Sequence, residues 1–128
     1  MNKTVLLIED NEQNRYLATF LLESRGFRVV SATDGLSGIE SAKESPPDLI
    51  LLDIQLPIID GYEVARRLRA EPGLSRIPVV AVTSYAMSGD REKALRAGCD
   101  GYLEKPINPE TFVDEVSRFL LENPDEGT

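Results

Sequence analysis

The sequence predicts an α/β domain built on one parallel, doubly wound sheet. Three observations point there. Short apolar runs alternate with segments of helical period, the pattern of consecutive βαβ units. The runs Leu49-Ile50-Leu51-Leu52 and Val79-Val80-Ala81-Val82 have no polar alternation, as expected of strands covered on both faces. Four runs also end in polar residues: Val5-Leu6-Leu7-Ile8 in Glu9-Asp10, Leu49–Leu52 in Asp53, Val79–Val82 in Thr83, and Tyr102-Leu103-Glu104 in Lys105. If the strands are parallel, these groups emerge together at one edge of the sheet, where open α/β sheets take their ligands.

The elements follow in chain order. The first strand is expected at about 3–9. A helix at about 12–25 places Leu17, Phe20, Leu21 and Ser24 on one stripe and stops at Gly26. Phe27-Arg28-Val29-Val30 reads as the second strand. Asp34-Gly35 is a turn signal; Leu36, Ile39 and Lys43 then begin a short amphipathic helix that Pro46-Pro47 ends. The third strand spans 48–53, and Leu56-Pro57 and Asp60-Gly61 mark the loop after it. The next helix turns Val64, Ala65 and Leu68 inward and Arg66, Arg67 and Arg69 outward, and Pro72-Gly73 closes it. Ile77-Pro78 leads into the fourth strand. A helix at about 88–97 has a thin apolar face of Ala94, Leu95 and Ala97, so it should dock loosely. After a short fifth strand, Asn108-Pro109 supplies a cap and a first-turn proline, and the last helix buries Phe112, Val116 and Phe119 or Leu120. Residues 1–123 then form one domain and 124–128 a frayed polar tail. With no linker or repeat left over, no output domain is expected, and a signal would leave through the domain's own surface.

Composition narrows the function. The chain has 128 residues, with 14 Lys and Arg against 22 Asp and Glu, a net charge of −8. An acidic domain repels phosphate backbones, so no nucleic-acid binding is expected. No run is long and apolar enough for a membrane span and no signal-peptide pattern is present, which predicts a cytoplasmic protein with no membrane contact. Cys99 is the only cysteine and is read as a small buried hydrophobe. Histidine is absent, so His-dependent triads and the usual zinc sets are excluded, and any metal must be a hard cation held by oxygen.

The strand-end residues suggest phosphoryl chemistry. Asp53 is the candidate nucleophile: its backbone is fixed by a buried strand, and a carboxylate attacking phosphorus gives an acyl phosphate. An anion approaching an anion needs a bridging cation. Glu9 and Asp10 could hold it with Asp53 and a backbone carbonyl near Gln55, a set that suits Mg2+. Lys105 supplies a compact positive charge and Thr83 a hydroxyl for phosphoryl oxygens, with the Ser84 backbone N–H in the same loop. Taken singly, each residue has a plainer reading: an aspartate at a strand end is commonly a turn or cap residue, and an acidic pair before a helix commonly complements its dipole. The argument rests on all of them following the right kind of strand.

The segments Val5–Asn11, Pro47–Pro57, Asp60-Gly61, Pro78–Thr83 and Gly101–Pro106 closely resemble the receiver domain of two-component response regulators, over essentially the full chain. The stretch Thr83–Asp90 adds a softer likeness to single-domain members. The resemblance implies a flavodoxin-like (βα)5 fold with strand order 2-1-3-4-5. It implies that Asp53 accepts a phosphoryl group from a sensor histidine kinase or a histidine phosphotransfer protein. Glu9 and Asp10 carry over as magnesium-binding acids, Thr83 as the switch hydroxyl, Tyr102 as a switch aromatic and Lys105 as the phosphate-binding lysine. It also implies a cis Lys105-Pro106 bond. Ile58-Ile59, Ser84 and Tyr85 depart from the commoner residues near the site.

On this reading the domain is a phosphoacceptor and switch, not a turnover enzyme. It binds a downstream protein effector through its 88–122 face, as a monomer or weak dimer. Two new charge-assisted hydrogen bonds, from Thr83 and Lys105, would contribute roughly 3–6 kcal/mol gross, against about 5.5 kcal/mol for a near-complete population shift. The alternatives are a phosphorylation-independent adaptor of the same fold and an aspartyl-nucleophile phosphatase. The second lacks an acid two residues after Asp53, where Gln55 stands. A flavin carrier is disfavoured by the acidic loop Glu9–Glu12.

Overall fold

Five parallel strands pair in the order β2-β1-β3-β4-β5, with five helices between and after them. The computed structural model describes residues 3–84 and 89–121, apart from the side chain of Leu121. The elements are β1 (Thr4–Ile8), α1 (Glu12–Ser24), β2 (Arg28–Ala32), α2 (Gly35–Glu44), β3 (Leu49–Asp53), α3 (Gly61–Ala70), β4 (Val79–Thr83), α4 (Asp90–Ala97), β5 (Gly101–Glu104) and α5 (Phe112–Leu121). The predicted α/β class and the strand order implied by the family resemblance both hold. The expected tail at 124–128, and residues 88 and 122 at the ends of the expected effector face, lie outside the described residues.

Strand alternation divides the interior into two apolar clusters. Leu6, Ile8, Ile50, Leu52, Val79 and Ala81 face α2, α3 and α4. Val5, Leu7, Leu49, Leu51, Val80 and Val82 face α1 and α5. This explains the unbroken apolar runs of β3 and β4, which are buried along their whole length.

Local chemistry sets the helix starts. Asn11, Asp34 and Asp60 cap α1, α2 and α3 by accepting from the N–H groups of Asn14, Ser37 and Glu63. The turn signals Asp34-Gly35 and Asp60-Gly61 are thus cap followed by first helical residue. Helix α4 differs: its N-cap is Gly89, with no side-chain cap bond, and it buries only Ala94 and Ala97. Its buried face is thus as thin as its sequence suggests. Its further hold on α3 is the Lys93 ammonium, 4.7 Å from the centre of the Tyr62 ring.

Three local expectations need correction. The buried stripe of α1 is Ala18 and Leu22, while Phe20 is 58% exposed and stacks on Tyr16. The helix is rotated so that small Ala18, not bulky Phe20, lies against the sheet. Leu95 is likewise exposed, because Ala94 and Ala97 already occupy the narrow gap under α4. Helix α5 is regular from Phe112, and Asn108 caps the turn that leads into it, its side chain accepting from Glu110 N–H and its carbonyl from Phe112 N–H, as the sequence suggests. Arg69 does not point outward. It donates to the carbonyls of Gly98, Ser75 and Ile77 and pairs with Asp100, joining the end of α3 to the entrances of β4 and β5.

Candidate functional site

Glu9, Asp10, Asp53, Thr83 and Lys105 all lie at the C-terminal edge of the sheet, at or just beyond the ends of β1, β3, β4 and β5. Asp53 ends β3, the middle strand. It is 3% exposed, and its Oδ1 accepts the Gln55 backbone N–H at 3.0 Å. Glu9 is 4% exposed and Thr83 2% exposed, so the site sits in the domain rather than on it.

Two buried carboxylates need compensation. Lys105 provides it: its Nζ lies 2.9 Å from Glu9 Oε1 and 3.3 Å from Asp53 Oδ2. Burial alone would lower the Lys105 pKa, but its hydrogen bond to Glu9 and the charges of Asp53 and Glu9 outweigh it, and the net shift is upward. The lysine follows β5 directly, with its N–H on the Thr83 carbonyl at 2.8 Å and a cis bond to Pro106. Glu9 Oε2 also accepts the Asn11 N–H, and Arg15 clamps the acidic turn through the carbonyls of Glu9 and Asp10.

Asp53 is pushed up to about 7, first by burial and then by its hydrogen bond to Glu9 and the charge of Glu9. Such crowding of acids is what a cation relieves. Glu9, Asp10 and Asp53 each offer a carboxylate oxygen, and all three lie within 4.8 Å of one another. The donors are hard oxygens, two buried and one exposed, so an ion could keep waters on its open side. The residues present therefore fit Mg2+.

Gln55 was expected to matter through its backbone carbonyl. The structure gives its side chain a place as well: the amide Nε2 donates to Thr83 Oγ1 at 2.8 Å, and Ser84 Oγ donates to Gln55 Oε1 at 3.0 Å. Only the position of Gln55, two residues beyond Asp53, could have signalled this. Tyr102 on β5 is partly buried against the cluster beneath α3 and α4. Tyr85 lies outside the described residues. Ile58 takes a left-handed φ of 72° with 79% exposure, a backbone conformation rare for a β-branched residue.

The geometry also corrects the energetic expectation. Lys105 and Thr83 already have partners at this site. A phosphoryl group would exchange their bonds rather than add to them, so the differential is smaller than the gross sum.

The model of the response regulator receiver domain matches residues 5–117. The chain belongs to that family. It is 42% identical over 120 residues to the polar-differentiation response regulator DivK of Brucella ovis, a match covering 94% of this chain and 98% of the relative. That is the single-domain type to which Thr83–Asp90 points. Among solved structures, the receiver domain of a sensor histidine kinase from Pseudomonas aeruginosa superposes with a TM-score of 0.88 at 36% identity, covering 95% of this chain and all of that one. It was solved with a magnesium ion coordinated in its active-site cleft. A CheY-like receiver domain protein from Methanospirillum hungatei gives 0.90 at 27% identity, covering 99% and 100%. Receiver domains interact with histidine kinases and with effectors. Among the described residues no helix is long and apolar enough to cross a membrane.

Proposed function

We propose that this receiver domain is a phosphorylation-controlled binding module with Asp53 as the phosphoacceptor. The carrying observation is the placement of Asp53: a carboxylate fixed at the end of the central strand, within 4.8 Å of two other acids and 3.3 Å from an ammonium. A carboxylate oxygen of Asp53 forms an O–P bond to the phosphoryl group of a phosphohistidine on a kinase or phosphotransfer protein. The P–N bond breaks, and the imidazole leaves with its electron pair and is protonated by solvent. Glu9, Asp10, Asp53 and the Gln55 carbonyl would hold Mg2+, which would supply the positive charge that offsets repulsion of the incoming phosphoryl group. Lys105 exchanges part of its pairing with Glu9 and Asp53 for a phosphoryl oxygen. The product is an acyl phosphate that the domain hydrolyses slowly, so no substrate is turned over.

The response then passes through Thr83 and Tyr102. The alternation that puts Val79 and Ala81 toward α3 and α4 continues to Thr83, on the side of the sheet where Tyr102 packs. Movement of the hydroxyl toward the phosphoryl group frees space for Tyr102 and reshapes the surface of α4, β5 and α5, where a protein effector binds. Helix α4, without a side-chain cap and with two buried alanines, is the element best able to adjust. The overall acidity argues for a protein partner and against nucleic acid, and the domain acts in the cytoplasm as a monomer or weak dimer.

Intact mass tests the reading. Incubation with Mg2+ and a small phosphodonor such as acetyl phosphate is expected to add one phosphoryl group to the wild type and none to Asp53→Asn. An adduct that persists in the variant moves the acceptor elsewhere. An adduct in neither protein, with a histidine kinase also supplied, favours the surface-only adaptor. Rapid turnover of a small phosphomonoester would make it a phosphatase.

A further inference from the structure

We propose that Gln55 is a positioning residue whose side-chain amide latches the Thr83 hydroxyl in the unphosphorylated state, with Ser84 setting the direction of that amide. The inference rests on the phosphoacceptor reading of Asp53 and assigns a new role within the same site.

One residue touches both ends of the switch. The Gln55 backbone N–H donates to Asp53 Oδ1 at 3.0 Å, and its side-chain Nε2 donates to Thr83 Oγ1 at 2.8 Å. The loop that holds the acceptor therefore also holds the hydroxyl that responds to it. Ser84 Oγ donates to Gln55 Oε1 at 3.0 Å, which leaves the amide nitrogen facing Thr83. The three side chains form one directed chain, Ser84 to Gln55 to Thr83.

The backbone of Thr83 is not free to follow its hydroxyl. It lies in β4, registered against Glu104, and its carbonyl accepts the Lys105 N–H at 2.8 Å. Relocation of Oγ1 is then a rotation about χ1. A β-branched side chain has few χ1 wells, so the choice is discrete rather than graded. A donor at 2.8 Å favours one well. A phosphoryl group on Asp53 has to draw the hydroxyl away from that donor, and the Gln55 bond sets part of the threshold for switching.

The test measures binding of beryllofluoride, a phosphoryl mimic, in the presence of Mg2+, together with the Thr83 methyl resonance and its χ1 couplings. In Gln55→Met, which keeps the volume and loses the donor, the affinity is expected to rise about three- to tenfold, the range for one neutral hydrogen bond. The Thr83 couplings of the unliganded protein should move toward those of the beryllofluoride-bound wild type. Ser84→Ala should shift both in the same direction and less. In a Thr83→Val background, Gln55→Met should change nothing, because no hydroxyl remains to be held.

An equal gain in both backgrounds would assign the effect to the loop and overturn the latch. So would an unchanged affinity in Gln55→Met beside a wild type that binds normally. A wild type that binds no beryllofluoride would overturn the phosphoacceptor reading, and the latch with it.

Discussion

The Lys105 ammonium lies closer to Glu9 than to Asp53, at 2.9 Å against 3.3 Å. In this state the lysine is chiefly the partner of Glu9. It compensates charge before any phosphoryl group arrives, and it is 13% exposed at its side chain, so solvent does little of that work.

Lys105→Met should therefore destabilise the protein in a pH-dependent way. Removing one partner of a buried pair costs about 3–5 kcal/mol when the remaining charge has no relief. Here protonation gives relief at low pH. Urea unfolding is expected to show a loss of about 3 kcal/mol at pH 8 and less than half that at pH 5. A uniform loss at both would mean that packing of the lysine stem, not charge, is what counts.

Asp53→Asn should be more stable than the wild type at pH 8 without divalent ions. The carboxyl rises from its ordinary 3.8 to about 7, so the folded protein binds this proton more tightly than the unfolded chain. That contribution is complete below pH 3.8 and is lost as pH rises through about 7. At 1.36 kcal/mol per unit, the ionised group costs the fold at most about 4 kcal/mol at pH 8. The advantage of the variant should shrink toward pH 4 in thermal unfolding. Mg2+ should stabilise the wild type by about 2.7 kcal/mol at a hundred times its Kd, and the variant by less.

Gly61→Ala should damage the site through the backbone. A Cβ there would stand 2.6 Å from the Asp53 carbonyl oxygen and 2.6 Å from Ile54 Cα. Both are main-chain atoms of the segment that carries Asp53, so neither can rotate away. A stability loss of at least about 2 kcal/mol is expected, together with weaker Mg2+ binding by calorimetry. Full Mg2+ affinity in the variant would show that the loop yields without moving Asp53.

Arg69→Lys should behave as a loss, not a conservative change. The guanidinium serves Gly98, Ser75, Ile77 and Asp100 at once, and an ammonium cannot reproduce that fork. Denaturant unfolding should give about 2 kcal/mol or more of destabilisation. Amide exchange should quicken around Cys99 and Asp100, and exchange at the wild-type rate there would refute the tie.

The strand-end acids, the threonine and the lysine were legible because a parallel sheet converts position in a strand into position at an edge. The sheet order followed from family resemblance, not from periodicity. The helix faces were harder. Period alone put Phe20 inward on α1, yet the space under that helix admits Ala18 and Leu22. Arg69 looked like its neighbours Arg66 and Arg67, because nothing local says which arginine will find three carbonyls across the fold. The Gln55 amide was missed for a similar reason: its partners Thr83 and Ser84 lie 28 and 29 residues away.

The two apolar clusters lie on opposite sides of the sheet. Thr83, Tyr102 and α4 belong to the side packed by α3, whereas Leu22, Phe112 and Val116 fasten α1 and α5 to the opposite side. Helix α5 belongs both to the second side and to the proposed effector surface, so the sheet between the two clusters is a coupling layer: what shifts beneath α4 on one face is felt by the helix fastened to the other.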